Sequence, residues 1–411
     1  MQNNRLTLLF HGLIHLFVML GATITVPLLT GLDVGVSLFA AGLGTLVFHT
    51  FSKYPIFLGS SYAYLPQATI LLGLSGSSLA EVRGGLVAVG LIYSIFALLT
   101  KDNRREVIRK IVPPHIAGSI ILLIGLSLAP IAVALCSSSE SKEITQNIGV
   151  AGSWMVGAFT FLVAGLTGVF FQKHFKILSL MSIVVALFLG YILCIVLGIV
   201  DFSFWAETKL FALPNFSLAR FSMRSFFLVS PIALVTICEH YADLESVADA
   251  CGKKHLTLPK TRGSLIADGL ATSISTLIGG PVNTIYSENI QAVKSLNDFN
   301  PITLQIAAVF AILLSFFQPL TKLIGSIPDP VVGGVSIYIF GRIAAIGIGK
   351  LVKLRVNFND PTVLITTSTI LVLGIGQAKI SFGEIHLAGV VLATIVGVVL
   401  NLFLRKTKFS N

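Results

Sequence analysis

The chain has 411 residues, 55% of them hydrophobic and only 11% charged, with a formal net charge of +10 at neutral pH. Its mean hydropathy is +0.91. Soluble domains carry about 25% charged residues, so this composition excludes a soluble globular enzyme and describes a polytopic membrane protein. The basic excess is no nucleic-acid footprint, because the lysines and arginines stand in short clusters between apolar runs and so orient a chain in a lipid bilayer.

A span needs about 20 apolar residues. On that measure the sequence predicts an all-α membrane protein of about fourteen segments, at 8–30, 34–51, 58–74, 84–100, 113–135, 151–172, 177–200, 224–244, 263–279, 281–296, 302–324, 328–348, 361–376 and 386–404. The first begins after Arg5, runs on too long for a signal peptide and has no small-residue cleavage site, so it is read as an uncleaved span. The four cysteines, Cys136, Cys194, Cys238 and Cys251, have neither metal-ligand spacing nor a paired pattern. The longest loop, 201–223, holds Phe202, Phe204 and Trp205 and reads as an interfacial segment with aromatic anchors.

Charge tests this count independently. With the N-terminus inside, 20 of the 28 lysines and arginines fall in inner loops, the run at 101–110 foremost, and 7 in outer ones. Arg342 alone lies within a span, where it is expected to snorkel to the inner surface. This bias puts both termini in the cytoplasm.

Two segments, 58–74 and 281–296, are too short and too polar for ordinary spans. They hold the third and tenth places. "IVPPHIAGSIILLIGL" (111–126) is echoed by "IPDPVVGGVSIYIFGR" (327–342): Pro114, Gly118 and Gly125 return as Pro330, Gly334 and Gly341. Two halves of seven spans must enter the membrane in opposite senses, the inverted-repeat plan of secondary transporters, and paired interrupted segments mark a site at the midplane. "GGPVNTIY" (279–286) has a proline, β-branched residues and no helical period, which predicts a short extended piece buried in protein, followed by a half-helix with Ser287 as N-cap. "LGSSYAYLPQ" (58–67) repeats the pattern from the opposite side, with Ser60 or Ser61 as cap. Two helix N-termini then face one gap, with Glu288 in the first turn of one.

A second cluster is "ICEHYADL" (237–244). Glu239 and Asp243 share a helical face. Two acids side by side in a low dielectric cannot both ionise easily, which is the chemistry of a proton carrier. His240 lies about 100° around the helix. His15 and Asp268 either line the same cavity or tie helices together. Tyr62, Tyr64, Tyr286 and Phe340 are candidates to stack on a flat ligand.

These residues resemble the nucleobase–ascorbate transporter family, and its bacterial uracil permease branch most of all. The resemblance is carried by "HLFVMLGATITVP" (15–27), "LGSSYAY" (58–64), "EHYADL" (239–244), "PVNTIYSENI" (281–290), "IPDPVVGGVSIYIFG" (327–341) and "LATIVGVVLNL" (392–402). It implies a core domain (1–110 and 224–326), a gate domain (111–223 and 327–411), commonly a homodimer, and uptake of a nucleobase with a proton, without cofactor or metal. By matched position it implies that Glu239 and Glu288 bind the base and Tyr62 stacks on it. Tyr286 and Ser287 bring backbone to it, Phe340 is a gate aromatic, and Glu239, Asp243 and His240 serve the proton. Asp243 stands where the uracil branch often has histidine and purine carriers have aspartate, so xanthine or uric acid is the alternative substrate. An anion transporter of similar architecture is a further one. No HExxH, Asp-rich metal motif or nucleophile elbow is present, so no enzymatic activity is expected.

Overall fold

The computed structural model describes residues 5–66, 78–99, 113–137, 142–173, 175–230, 232–252, 258–382 and 385–408. The basic run at 101–110 and the half-helix expected beyond residue 66 lie outside the described residues. The first half contains α1 (Arg5–Thr30), α2 (Val34–Phe51), β1 (Leu58–Ser60), α3 (Leu79–Leu99), α4 (Pro114–Ser137), α5 (Lys142–Phe170), α6 (Lys176–Leu180) and α7 (Ser182–Val196). The second contains α8 (Met223–Val229), α9 (Ile232–Ala250), α10 (Leu258–Ile278), β2 (Asn283–Ile285), α11 (Ser287–Leu296), α12 (Pro301–Ser315), α13 (Gln318–Gly325) and α14 (Asp329–Lys353). It ends with α15 (Pro361–Ile375), β3 (Lys379–Phe382), β4 (Ile385–Ala388) and α16 (Gly389–Lys408).

Short polar punctuation sets the helix starts. Asp33 caps α2, accepting the Val36 N–H at 2.8 Å. Asn300 and Asp360 cap α12 and α15, each followed by a proline whose missing N–H costs nothing at that position. Ser78 and Glu81 open α3 as a reciprocal pair: Ser78 Oγ accepts from the Glu81 N–H and Glu81 Oε2 from the Ser78 N–H. Among the described residues, six helices are long and apolar enough to cross a membrane, or seven if the bent pair α12–α13 is one span. The outer faces of these and of the shorter apolar helices α7 and α15 carry exposed Phe17, Phe159, Leu162, Phe188 and Leu364 where a soluble protein would carry charge. The chain is a multi-pass membrane protein.

α10 packs on α3 and α2, and α12 on α2 and α1. Separately, α14 packs on α4 and α5, and α15 on α16 and α4. The echoed motifs lie on α4 and α14, which run against each other. A Cβ on Gly125 would stand 2.5 Å from the Phe340 carbonyl oxygen and 2.6 Å from the Ala344 nitrogen, so the two backbones meet there only because the residue is glycine.

The two short segments are extended as expected. β1 and β2 pair antiparallel, Leu58 with Ile285, Gly59 with Thr284 and Ser60 with Asn283. Bonds from Ser61 N to Val282 O (2.8 Å) and from Tyr286 N to Phe57 O (3.0 Å) lengthen the ladder at its ends. A two-stranded ribbon leaves outer backbone groups unpaired, which a buried ribbon cannot tolerate. Threonines from repeat-related helices answer this. Thr45 of α2 accepts from Leu58 N at 2.9 Å and donates to Leu58 O. Thr272 of α10 accepts from Asn283 N at 3.2 Å.

Three segments depart from the sequence reading. The span expected at 302–324 bends by 81° between α12 and α13, because Pro319 cannot follow a helical carbonyl at Ser315. The span at 224–244 is described as two helices, α8 ending at Val229 and α9 beginning at Ile232. The last segment begins as a β3–β4 hairpin, with α16 starting only at Gly389 (φ 51°). The 201–223 loop forms a 3₁₀ turn (Ser203–Glu207) with exposed Phe202 and Trp205. It then lies along the ends of α10 and α3, through Ser217 N to Ile278 O, Ala219 N to Leu277 O and Arg220 N to Ala80 O.

Candidate functional site

The paired strands end at a half-enclosed cavity of about 100 Å³. Ser60 and Tyr62 line it from the first half, Thr284, Tyr286, Ser287 and Glu288 from the second, and Glu239 and Asp243 from α9. Its far wall is one face of α14: Ile339, Arg342, Ile343, Ile346 and Lys350. A larger open depression of about 450 Å³ near Asp33 and Lys322 contains none of the candidate binding or proton-carrying residues.

Two threonines two residues apart on α1 fix the aromatic rings. Thr25 Oγ1 hydrogen-bonds Tyr62 Oη. Thr23 Oγ1 lies 2.9 Å from Tyr286 Oη, which donates to the Ser60 carbonyl at 3.2 Å. The Phe340 ring meets Tyr62 edge-on, with centroids 5.8 Å apart and planes at 82°. Phe340 is therefore behind Tyr62 rather than on the cavity wall. With both tyrosine hydroxyls held, the ring faces have fixed positions, which a flat ligand requires.

α11 begins in the cavity. Its first-turn N–H groups have no partner within the helix, and Glu288 stands among them. Ser287 is not the N-cap. Tyr286 is, with β-region dihedrals and no side-chain cap. Tyr286 N is bonded to Phe57 O, which holds Tyr286 extended at the end of the ladder, and the helix begins at Ser287, one residue earlier than a Ser287 cap would start it.

The acids on α9 meet different partners. Asp243 Oδ1 lies 3.7 Å from Lys350 Nζ. Glu239 is one turn further along the same face and also lines the cavity. His240 turns away. Its Nδ1 is 2.8 Å from Asp268 Oδ2 and its Nε2 3.1 Å from Ser264 Oγ, so it joins α9 to α10. Asp268 is thereby a helix tie rather than a cavity residue. His15 is one as well, since Asn289 of α11 donates to its carbonyl at 3.0 Å.

Two residues escaped the sequence reading. Arg342 does not snorkel; its Nη1 lies 3.5 Å from Glu288 Oε1. Lys350, counted with the inner loop, is inside α14. The signal was available, since positions 342, 346 and 350 recur every four residues on one helical face.

Comparison with known proteins gives this arrangement its context. A family model described as "Permease family" (Xan_ur_permease) matches residues 6–383. The chain belongs to the nucleobase–ascorbate transporter family. It is 35% identical over 401 residues to a probable uracil permease of Haemophilus influenzae, covering 97% of this chain and 94% of that one. It is 36% identical over 402 residues to the uracil permease of Bacillus caldolyticus, covering 95% and 90%. To the uracil permease of Escherichia coli K12 it is 34% identical over 393 residues, again covering 95% and 90%. Among solved structures, the transmembrane domain of the cyanobacterial bicarbonate transporter BicA superposes with a TM-score of 0.66 at 14% identity, covering 98% and 97%. Murine solute carrier 26 member A9, an anion transporter in its inward-facing state, gives 0.73 at 10% identity, covering 99% of this chain and 69% of that one. The two structures share the inverted-repeat fold with this chain. The permease is a transporter, not an enzyme.

Proposed function

We propose that this permease imports a nucleobase, uracil before any other, together with a proton. The observation that supports this most is the convergence of Tyr62, Glu239, Asp243, Tyr286, Ser287 and Glu288 on one cavity. Uracil is flat and neutral, with two ring N–H donors and two carbonyl acceptors. The carboxylates of Glu239 and Glu288 accept the N–H groups. The free N–H groups of the first turn of α11 donate to the carbonyls. Tyr62, backed by Phe340, covers a face of the ring. A buried polar group left unpaired costs about 1–3 kcal/mol, so a base with the wrong donor order loses roughly 5- to 150-fold in affinity. The names of the relatives support uracil over xanthine or uric acid.

In this reading Glu239 and Asp243 carry the proton as a pair, and His240 contributes by holding α9 against α10. The core (1–110 and 224–326) moves against the gate (111–223 and 327–411), exposing the cavity to either side in turn. Both termini are cytoplasmic, the membrane is the bacterial inner membrane, and two copies form a homodimer. The bias of basic residues toward one side supports the orientation.

The test is uptake of labelled uracil by proteoliposomes under an imposed pH gradient, with unlabelled uracil, xanthine and adenine as competitors. Uptake should rise with an inward proton gradient and be displaced by uracil first. Uptake indifferent to the gradient would remove the proton, displacement by xanthine alone would make the substrate a purine, and chloride-driven currents without base dependence would make the protein an anion carrier.

A further inference from the structure

Both cations on the cavity wall come from α14, and both acids they meet come from helices on the opposite wall. Arg342 Nη1 stands 3.5 Å from Glu288 Oε1 and Lys350 Nζ 3.7 Å from Asp243 Oδ1. The two cations are eight residues apart, about 12 Å of helix rise, with one isoleucine midway on the same face. They are therefore two clasps on one edge, one at each end of the cavity.

The clasps are loose. The separations are those of ion pairs, not of well-formed hydrogen bonds. The Lys350 ammonium nitrogen is buried and, among the described residues, donates no hydrogen bond. A buried charge held only by attraction is weakly favoured over one with its hydrogen bonds made. Such a carboxylate exchanges its partner readily when a donor arrives that can approach to hydrogen-bonding distance. The ring N–H of a base is such a donor, and Glu288 is the acid that the proposed site assigns to it.

We propose that Arg342 is a competitor of the substrate: in the empty site it occupies Glu288 and, with Lys350 on Asp243, holds α14 against the opposite wall, and a base that takes Glu288 from Arg342 opens the clasp. Loading and loosening are then one event, because the same carboxylate cannot serve both partners at full strength. A cation that held the base itself would give the opposite result when removed. The inference rests on the reading of the cavity as a nucleobase site.

Competition lowers apparent affinity by the fraction of molecules clasped: a site clasped nine times in ten binds about tenfold more weakly than an open one. Equilibrium binding of labelled uracil to purified full-length protein in detergent reads this directly. Arg342→Gln should bind about three- to tenfold tighter than the native protein, and Arg342→Lys, which keeps a cation, should stay near the native value. Salt gives a second reading. Uracil is uncharged, so its affinity has no reason of its own to follow ionic strength, whereas salt weakens a partly exposed ion pair. Native affinity should therefore rise between about 50 mM and 500 mM sodium chloride, and Arg342→Gln should not respond. If Arg342→Gln does not yield folded protein, Arg342→Met, which also removes the cation from Glu288, makes the same prediction. Affinity that falls or stays level in the neutral variant, or a native affinity flat in salt, overturns the clasp. Native protein that binds no pyrimidine overturns instead the reading of the site on which it rests.

Discussion

Gly59→Ala is the most stringent test of the paired strands. Gly59 faces Thr284 across the ribbon, and a Cβ there would lie 2.6 Å from Tyr286 Oη and closer still to two carbons of its ring. Ordinary contact begins at 3.4 Å, so the ring must retreat by roughly an ångström. It has no free path, because Tyr286 is buried and its hydroxyl is bonded to Thr23 and to the Ser60 carbonyl. Overpacking costs about 1–3 kcal/mol, and each hydrogen bond lost about 1 kcal/mol more. The expected loss is therefore about 2–4 kcal/mol, together with weakened uracil binding, since Tyr286 lines the cavity. The assay is the apparent melting temperature of the detergent-purified protein, read beside equilibrium binding. Tyr286→Leu in the Gly59→Ala background should recover part of the stability without the binding, because the two side chains compete for one space. A Gly59→Ala variant that melts and binds as the native protein does would show that the strands and the ring are not packed as described.

His240→Leu should lower the melting temperature, because Asp268 and Ser264 lose a buried partner at a cost of about 1–3 kcal/mol, while uptake should keep its response to an imposed pH gradient; loss of that response at unchanged stability would return His240 to the proton path. Asp298, in the turn before α12, accepts from His11 (2.7 Å), from Thr303 (2.9 Å) and from the Asn300 N–H (3.1 Å). Burial alone would raise the pKa of its carboxyl, but these bonds outweigh burial and hold it below the usual carboxylate range. The unfolded chain therefore takes up this proton at a higher pH than the folded one, so the contribution is complete above about pH 4 and fades as pH falls further. Asp298→Asn should cost ~1 kcal/mol at neutral pH and show a smaller loss of stability on acidification, measured by melting between pH 7 and the acid limit; identical acid profiles would deny the carboxylate its role.

Much of the site was legible because the membrane forbids unpaired backbone. "GGPVNTIY" and "LGSSYAY" could be neither helix nor lipid-facing coil, and pairing with each other was the remaining solution. The half-helix opened by "YSEN" followed, although Tyr286 rather than Ser287 is its cap. The hairpin at 379–388 was hidden because alternation over four residues is too short to oppose an apolar run that hydropathy assigns to a helix. The bend after Ser315 was written in Pro319, but hydropathy averages over prolines. Arg342 and Lys350 were misjudged for one reason: a cation near the end of a span is ordinarily drawn to water, and only the positions of Glu288 and Asp243 on other helices supply a nearer partner. Those are tertiary facts, with separations of 54 and 107 residues in sequence.

The central claim is that a planar base lodges where the strands meet and is held by Glu239 and Glu288. Thermal stabilisation of the purified protein by uracil tests it most directly, because a ligand raises stability only by binding the folded form, by about 2.7 kcal/mol at a hundred times its dissociation constant. The account predicts a clear upward shift in the native protein and little or none in Glu239→Gln and Glu288→Gln at the same uracil concentration. No shift with any base in the native protein, or an undiminished shift in both variants, would contradict it.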